Sequence, residues 1–251
     1  MWNHFVYAIG SESYIGDRMY EFQSRVRYSE SDFKGQLNLH GVLDYFQDCT
    51  TLQSEEIGIG VETMHSKNLV WVMSTWQIDV LKFPKISDRI SIGTFPYDFK
   101  GFFGYRNFLM KDEKGEVIAM GDSMWTLLNY AESKPVRVTD EILKAYKMEP
   151  KYPMDYVKGK IQVPKELEER EPVKIVMHHL DANMHVNNGQ YVTIGLDQLE
   201  DKDYRRLRVE YRKMARLGDV LIPYVAKNDN GDVVVLKDKN GDVYTVLEMS
   251  K

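Results

Sequence analysis

Histidine, aspartate and asparagine side chains are concentrated in one short segment, His178-His-Leu-Asp-Ala-Asn-Met-His-Val-Asn-Asn-Gly-Gln-Tyr191. The His185 imidazole can act as a general base near neutral pH, because its unperturbed pKa is about 6.5. Asp181 can orient that imidazole and stabilise the imidazolium, and Asn183 can position a water molecule or a carbonyl group. These three residues predict attack of water on an activated acyl group.

A helix is predicted directly after these residues, from Asn188 to about Leu199. Asn187 or Asn188 can cap it, and the free N–H groups at its start carry about half a positive charge. A carbonyl oxygen placed there would be polarised and its developing negative charge stabilised. Asn187, Asn188 and Gly189 therefore predict an oxyanion site. The alternative is that the segment is only a turn that caps the helix.

Metal-binding interpretations of the segment fail on spacing. A calcium loop starting at Asp181 would need glycine at Val186 and glutamate at Val192. A zinc site would need helical i, i+4 spacing, which His178, His179 and His185 do not have. We expect neither a metal nor a cofactor.

The chain contains an internal repeat. Asp32-Phe-Lys-Gly-Gln-Leu-Asn38 and Asp181-Ala-Asn-Met-His-Val-Asn187 place Asp and Asn at the same spacing, each before a helical pattern. Further along, Met110-Lys-Asp-Glu-Lys-Gly-Glu-Val117 matches Leu236-Lys-Asp-Lys-Asn-Gly-Asp-Val243. The offset between the copies decreases along the chain, which indicates a duplication with a shorter second copy.

Hydrophobic periodicity predicts the same elements in both copies. In the first copy a strand near 22–28 precedes a helix over 39–57 and strands near 70–83, 88–97, 102–111 and 116–129. In the second copy a strand at 173–177 precedes the helix and strands near 206–215, 219–227, 232–238 and 242–249. The predicted fold class is α+β, with two units in which a curved antiparallel sheet wraps around a central helix. The predicted domains are 19–130 and 173–251, joined by a proline-rich linker at 131–172 with a short helix at 140–147.

Composition restricts the class of protein. The chain has 251 residues with 43% hydrophobic and 28% charged residues, which is typical of a folded protein. The net charge of −5 disfavours nucleic-acid binding. Cys49 is the only cysteine, so no intrachain disulfide forms, and we expect it in the core. No apolar stretch is long enough to span a membrane and the N-terminus lacks a secretory signal, so we expect a cytoplasmic protein whose folded part begins near Met19.

A basic cluster is the local exception to the acidic charge: Arg205, Arg206, Arg208, Arg212, Lys213 and Arg216. One interpretation is a solvated strand face. The other is a docking patch for an acidic carrier protein, which we expect at Arg205, Arg206 and Arg208.

In four segments the chain resembles the acyl-acyl-carrier-protein thioesterases, a family of tandem-hotdog enzymes. The resemblance covers about residues 19–249. It rests on the segment 181–191, Val209-Glu-Tyr-Arg-Lys213, Trp71-Val-Met-Ser-Thr-Trp76 and Phe83-Pro-Lys-Ile-Ser-Asp88. It implies hydrolysis of fatty-acyl thioesters carried on an acidic acyl carrier protein.

The resemblance also implies a division of labour between the copies. The second copy would hold the catalytic Asp181, Asn183 and His185, and the first would hold the acyl pocket. The candidates for that pocket are Phe46, Trp71, Met73 and Trp76, whose alternative role is core packing.

One departure from the family pattern keeps alternatives open. The family carries a Glu-Cys pair where this chain has Met214 and Ala215, so a cysteine nucleophile is excluded there and a carboxylate is missing. Glu210 on the same strand is about 13 Å away and cannot replace it. A coenzyme A thioesterase and a degenerate acyl-binding protein are alternatives. A dehydratase is a more distant one, and a homodimer stays open.

Overall fold

The first copy of the repeat is built around a long helix. The computed structural model describes residues 19–200 and 203–251. Helix α1 (Leu39–Glu56) starts after Asn38, whose side chain accepts a hydrogen bond from the Gly41 N–H at 2.8 Å. The other elements of this copy are β1 (Tyr20–Arg25), α2 (Val61–Ser66), β2 (Leu69–Val80), β3 (Arg89–Lys100), β4 (Phe103–Asp112) and β5 (Val117–Asn129).

The predicted apolar stripe of α1 is the face that the structure buries. Val42, Leu43 and Phe46 are fully buried and belong to the main hydrophobic core. Cys49 lies on the same stripe, and burial raises the pKa of its thiol to about 12. The prediction that Cys49 belongs to the core is confirmed.

The connector between the copies packs on the sheet in part. It contains β6 (Lys134–Pro135), α3 (Asp140–Ala145) and β7 (Glu168–Glu169). Ile161 packs against Val233, Val235 and Val246 of the second copy, which form a cluster separate from the main core. The proline-rich linker is therefore held against the sheet instead of looping away from it.

The second copy repeats the arrangement of the first with shorter strands. Its helix is α4 (Asn188–Asp197), and its strands are β8 (Val173–Lys174), β9 (Arg206–Tyr211), β10 (Val220–Lys227), β11 (Asp232–Lys237) and β12 (Val243–Ser250). Strand β2 pairs with β9 in antiparallel register, so the two sets of strands form one continuous sheet. The domain boundaries drawn from the sequence stay predictions, because this pairing joins the copies without an interruption.

Several local predictions need correction. The predicted strand at 173–177 is two residues long and is followed by a 3-10 turn at Met177–His179. Helix α2 is absent from the prediction, because the glycines before it suggest only a stop, whereas Gly60 is its N-cap. Strand β9 ends at Tyr211 instead of near 215.

The expectation about the N-terminal 18 residues lies outside the described residues. Within the described part of the chain, no helix has the length and apolar character needed to cross a bilayer.

Candidate active site

The turn before α4 is held by the Asp181 carboxylate. Its Oδ1 accepts hydrogen bonds from the backbone N–H of Asn183 at 2.8 Å and of His185 at 3.2 Å. The Asp181 N–H in turn donates to the His185 carbonyl at 2.8 Å. The expected bond between this carboxylate and the His185 imidazole is not found among the described residues. In this structure Asp181 positions His185 through the backbone.

The first copy contains the same turn without the candidate catalytic side chains. Asp32 Oδ1 accepts from the N–H of Lys34 at 2.8 Å and of Gln36 at 3.0 Å. Lys34 and Gln36 thus occupy the positions that Asn183 and His185 occupy in the second copy. The turn is common to both copies, and only the second has side chains suited to water activation.

One residue of the turn is strained. Met184 has φ 60°, whereas the equivalent residue of the first copy is Gly35 with φ 70°. A side chain in this left-handed region costs about 1–2 kcal/mol. The Met184 side chain is exposed and lines the cavity described below, so the strain is found at the candidate site.

Helix α4 presents one unused amide at its start. Asn187 is the N-cap, and its Oδ1 accepts from the Gly189 N–H at 2.8 Å. That bond occupies the Gly189 amide, which the sequence suggested for the oxyanion. The Asn188 N–H has no acceptor within the described ranges, so it is the amide at this helix start that is left for a carbonyl oxygen.

Two residues to which the sequence assigned no role hold Asn188 in place, one of them in the segment 209–213 that carries the resemblance. Gln47 on α1 accepts a hydrogen bond from Asn188 Nδ2 at 2.9 Å, and the Tyr211 hydroxyl donates to the Asn188 carbonyl at 3.0 Å. Burial raises the pKa of Tyr211 well above its usual value, so the phenol stays a donor. No local pattern signals these contacts, because they depend on how the two copies pack.

A cavity of about 1120 Å³ extends from this turn into the first copy. Asp181, Asn183 and His185 line it together with Asn188, so the structure brings the predicted catalytic residues to one surface. Their catalytic roles stay predictions. The part of the wall that belongs to the first copy comes from α1, α2, β2, β3, β4 and β5 and their loops, and includes Thr50, Ser54, Met64, Leu69, Phe99 and Leu128.

The candidate acyl-pocket residues divide into two pairs. Trp71 and Met73 line the cavity. Phe46 and Trp76 do not line it: both are buried in the main core, where their rings stack 6.3 Å apart and contact Phe108. The sequence pattern does not distinguish the two pairs, because all four are apolar positions of elements that border both the core and the cavity.

The arginines proposed for carrier docking are engaged within the chain. Arg208 is buried and pairs with Glu248 at 2.9 Å, and Arg206 pairs with Asp79 and with Asp155. The Arg205 guanidinium donates to the Leu81 carbonyl at 2.9 Å. The ion pairs of Arg206 and Arg208 argue against a docking patch that uses all three residues, whereas Arg205 is exposed and its bond to a carbonyl leaves its charge in place. The arginines and the lysine that line the cavity are instead Arg106, Arg212, Lys213 and Arg216.

The positions of the missing family pair lie beside the site. Met214 is exposed and lines the cavity, whereas Ala215 is fully buried and its N–H donates to the Tyr191 hydroxyl at 2.8 Å. Glu210 is occupied elsewhere, because its Oε1 accepts from the Ile161 N–H at 2.6 Å and its Oε2 from Arg212 at 2.8 Å. The carboxylate of this strand therefore does not replace the missing one.

The fold and the site define a double-hotdog protein with a polar turn at the mouth of a cavity. The profile of the family described as "Acyl-ACP thioesterase N-terminal domain" matches residues 17–146, just over half of the chain. The chain therefore belongs to the acyl-ACP thioesterase family.

Curated relatives agree with this membership. The chain is 27% identical over 191 residues to "Oleoyl-acyl carrier protein thioesterase 2, chloroplastic" of Arabidopsis thaliana, an alignment that covers 68% of this chain and 51% of that protein. It spans about half the length of the curated relatives it matches.

Solved structures share the fold. An acyl-ACP thioesterase from Bacteroides thetaiotaomicron VPI-5482 superposes with a TM-score of 0.83 at 21% identity, covering 92% of this chain and 97% of that one. The 12:0-ACP thioesterase from Umbellularia californica superposes with a TM-score of 0.81 at 19% identity, covering 92% and 96%. The predicted α+β class with tandem hotdog units is confirmed.

Proposed function

We propose that this protein hydrolyses fatty-acyl thioesters carried on acyl carrier protein and releases free fatty acids. The observation that supports this most is a cavity of about 1120 Å³ with His185 and the Asn188 amide at one end and the first copy around the rest. A long acyl chain needs such a cavity, and its thioester needs a base and an oxyanion donor together.

The proposed reaction is attack of water on the thioester carbonyl. His185 removes a proton from water as the oxygen bonds to the carbonyl carbon. The Asn188 N–H, at the positive end of α4, stabilises the negative oxygen of the tetrahedral intermediate. Collapse of the intermediate breaks the C–S bond, and the imidazolium returns its proton to the departing thiolate. Asn183 positions the water, and Asp181 holds the turn.

A carrier protein is the proposed donor because of the charge at the cavity mouth. Arg212, Lys213 and Arg216 are exposed and line the cavity near Met214. Arg212 pairs with the largely buried Glu210, and Lys213 pairs with Asp238 and with the exposed Asp242. Arg216 forms no ion pair within residues 19–200 and 203–251. An acidic carrier would be attracted to this side of the protein, where its acyl group has to enter.

The proposal extends to the compartment and the number of chains. The reaction would take place in the cytoplasm, where Cys49 stays reduced. It would require no second chain, because β2 and β9 join both copies in one sheet.

The test is the substitution His185→Ala, with His178→Ala as its matched control. His178 is an exposed histidine of the neighbouring 3-10 turn and does not line the cavity. Loss of the general base should lower kcat by about 10²–10⁴, whereas the control should keep its rate. Free fatty acid released from acyl-carrier and acyl-CoA substrates is measured by mass spectrometry.

Each outcome separates the candidates. Faster release from the carrier substrate supports the proposal, and faster release from acyl-CoA supports a coenzyme A thioesterase instead. Binding of acyl carrier without release by the wild-type protein would support the non-catalytic alternative, which the exposed Met214 at the family's glutamate position favours. Unchanged turnover in a folded His185→Ala variant would refute the assignment of the base.

A further inference from the structure

A buried arginine forms part of the cavity wall. Arg106, in the middle of β4, is only 4% exposed and lines the cavity. Its Nη2 donates to Gln53 Oε1, and Thr94 Oγ1 lies 3.4 Å from both Nε and Nη2. The guanidinium also hydrogen-bonds with the Tyr146 side chain. These three partners do not use all five of its N–H groups. Because Arg106 lines the cavity, an acceptor for the remaining N–H groups would have to come from a molecule bound there.

The charge of this arginine has no counter-ion within the described ranges. No aspartate or glutamate of residues 19–200 or 203–251 forms an ion pair with it. The groups that favour its charged form are the phenol of Tyr146, whose ring lies 5.2 Å from Arg106 Cζ, and the thiol of Cys49. Phenols and thiols are neutral at pH 7, so neither supplies a negative charge. Burial lowers the pKa of Arg106, but a guanidinium stays protonated in proteins.

A plain hydrocarbon chain is a poor neighbour for such a group. A buried charge without a counter-ion is unfavourable, and an alkyl chain that displaces water from it makes the burial more complete. An oxygen atom in the chain would accept hydrogen bonds from the remaining N–H groups. An anionic oxygen would in addition supply the missing negative charge.

The position of the arginine relative to the candidate active site defines where that oxygen would lie. Gln47 is beside Asn188 and Gln53 is beside Arg106, and the two glutamines are six residues apart on α1, which corresponds to about 9 Å along the helix axis. An extended alkyl chain advances by about 1.3 Å per bond, since C–C bonds are about 1.5 Å long. The oxygen would be on roughly the eighth carbon from the thioester.

We infer that the cavity accepts acyl chains that carry an oxygen function near the eighth carbon, a carboxylate or a hydroxyl, and that Arg106 binds this oxygen. The inference rests on the proposed function for the position of the thioester, and it names the substrate class of that site. Arg106 is a specificity residue and takes no part in bond breaking.

The test compares matched chains of six, eight, ten and twelve carbons that end in a methyl, a hydroxyl or a carboxylate group. Binding of the chains as methyl amides, which carry no carboxylate at the thioester end, is measured by calorimetry, and hydrolysis is measured with the same chains on a purified acyl carrier protein. Chains with oxygen near the eighth carbon should show an affinity and a kcat/KM about ten- to a hundred-fold higher than methyl-ended chains of equal length, the range expected of a charge-assisted hydrogen bond. A carboxylate that exceeds the hydroxyl identifies the charge as the recognised feature; equal values identify the hydrogen bond.

Variants of the arginine complete the test. Arg106→Met should remove the preference and raise affinity for methyl-ended chains, whereas Arg89→Met, at an exposed position outside the cavity, should keep it. Arg106→Lys, which keeps the charge, replaces the methionine variant if that one does not fold, and should retain a preference for the carboxylate.

Two results would contradict different claims. Equal or better binding of methyl-ended chains by the wild-type protein overturns the inference without any variant. Selective binding of chains oxygenated at the far end, with no hydrolysis of any thioester, would instead contradict the proposed function and leave the recognition by Arg106 in place.

Discussion

Among individual residues, comparison of the two turns separates structure from chemistry. Asp32 and Asp181 each accept two backbone N–H groups in the same way, although only the second turn carries His185. The carboxylate is therefore needed to form the turn in both copies. Its predicted action on the imidazole is a separate role, which the hydrogen bonds of the structure do not require.

Three substitutions distinguish these roles. Asp181→Asn keeps an oxygen that can accept hydrogen bonds from both amides, so we expect kcat within about threefold of wild type. Asp181→Ala leaves the two amides unpaired and displaces His185, so it should lower kcat at least about tenfold. Asp32→Ala removes the same bonds from the first copy and should lower the free energy of unfolding by about 1–2 kcal/mol with little change in kcat. Steady-state kinetics and urea unfolding measure both effects. If Asp181→Asn loses as much activity as Asp181→Ala, the negative charge acts directly on the imidazole.

Among helices and strands, the sequence predicts most of the fold and only part of the site. Repeated spacing and periodicity locate both long helices and eight long strands to within a few residues, because each buries one continuous apolar face. They do not predict Gln47, Tyr211 or Arg106 as cavity residues, and they do not separate Trp71 from Trp76. Those assignments depend on the packing of elements distant in sequence, which local periodicity does not encode.

The contact between α1 and α4 is the packing on which the candidate site depends, and Gly189 makes it possible. A Cβ atom at this position would lie 2.6 Å from the His40 ring and from Asp44 Oδ1. Gly189→Ala should therefore separate the helices, lower the free energy of unfolding by about 1–3 kcal/mol and reduce kcat, because the bond between Gln47 and Asn188 lengthens.

The double variant His40→Ala/Gly189→Ala is the control for this contact. Removal of the imidazole takes away one of the two clashing groups and the ion-pair partner that holds the other, Asp44. The double variant should therefore regain at least half of the lost stability. Thermal unfolding of the four proteins of this cycle gives the coupling energy. A coupling near zero would show that the helix start tolerates a methyl group without help from α1.

Across the molecule as a whole, the connector joins the two copies through buried polar groups. Gln77 on β2 bonds Asp155 and Val157 of the connector. In the second copy, Arg208 donates to the Gly159 carbonyl at 2.7 Å. The arginine that the sequence suggested for docking thus helps to hold the connector, which explains why its charge is paired inside the protein.

The same connector packs beside a carboxyl group that should make stability depend on pH. Asp122 on β5 accepts hydrogen bonds from Tyr97 at 2.8 Å and from Asn107 at 3.3 Å, and Asn107 in turn accepts from the Tyr152 N–H of the connector. Burial raises the pKa of Asp122 to about 6, against the smaller opposing effects of the Tyr97 hydroxyl and of Lys151. The folded state therefore holds this proton more tightly than the unfolded state does.

The direction of the pH effect follows from that difference. The contribution of Asp122 to the free energy of unfolding is fully present below its unfolded pKa of about 4. It is lost as pH rises through the folded pKa of about 6, because charging the buried carboxyl group then opposes folding. Asp122→Asn cannot acquire the charge, so its free energy of unfolding relative to wild type should increase by about 1–3 kcal/mol between pH 4 and pH 7. Urea unfolding of both proteins across this range measures the difference. The titration of the other carboxylates is common to both proteins and cancels in it. A constant difference would mean that Asp122 is ionised in the folded protein throughout, and that Lys151 and the connector neutralise its charge.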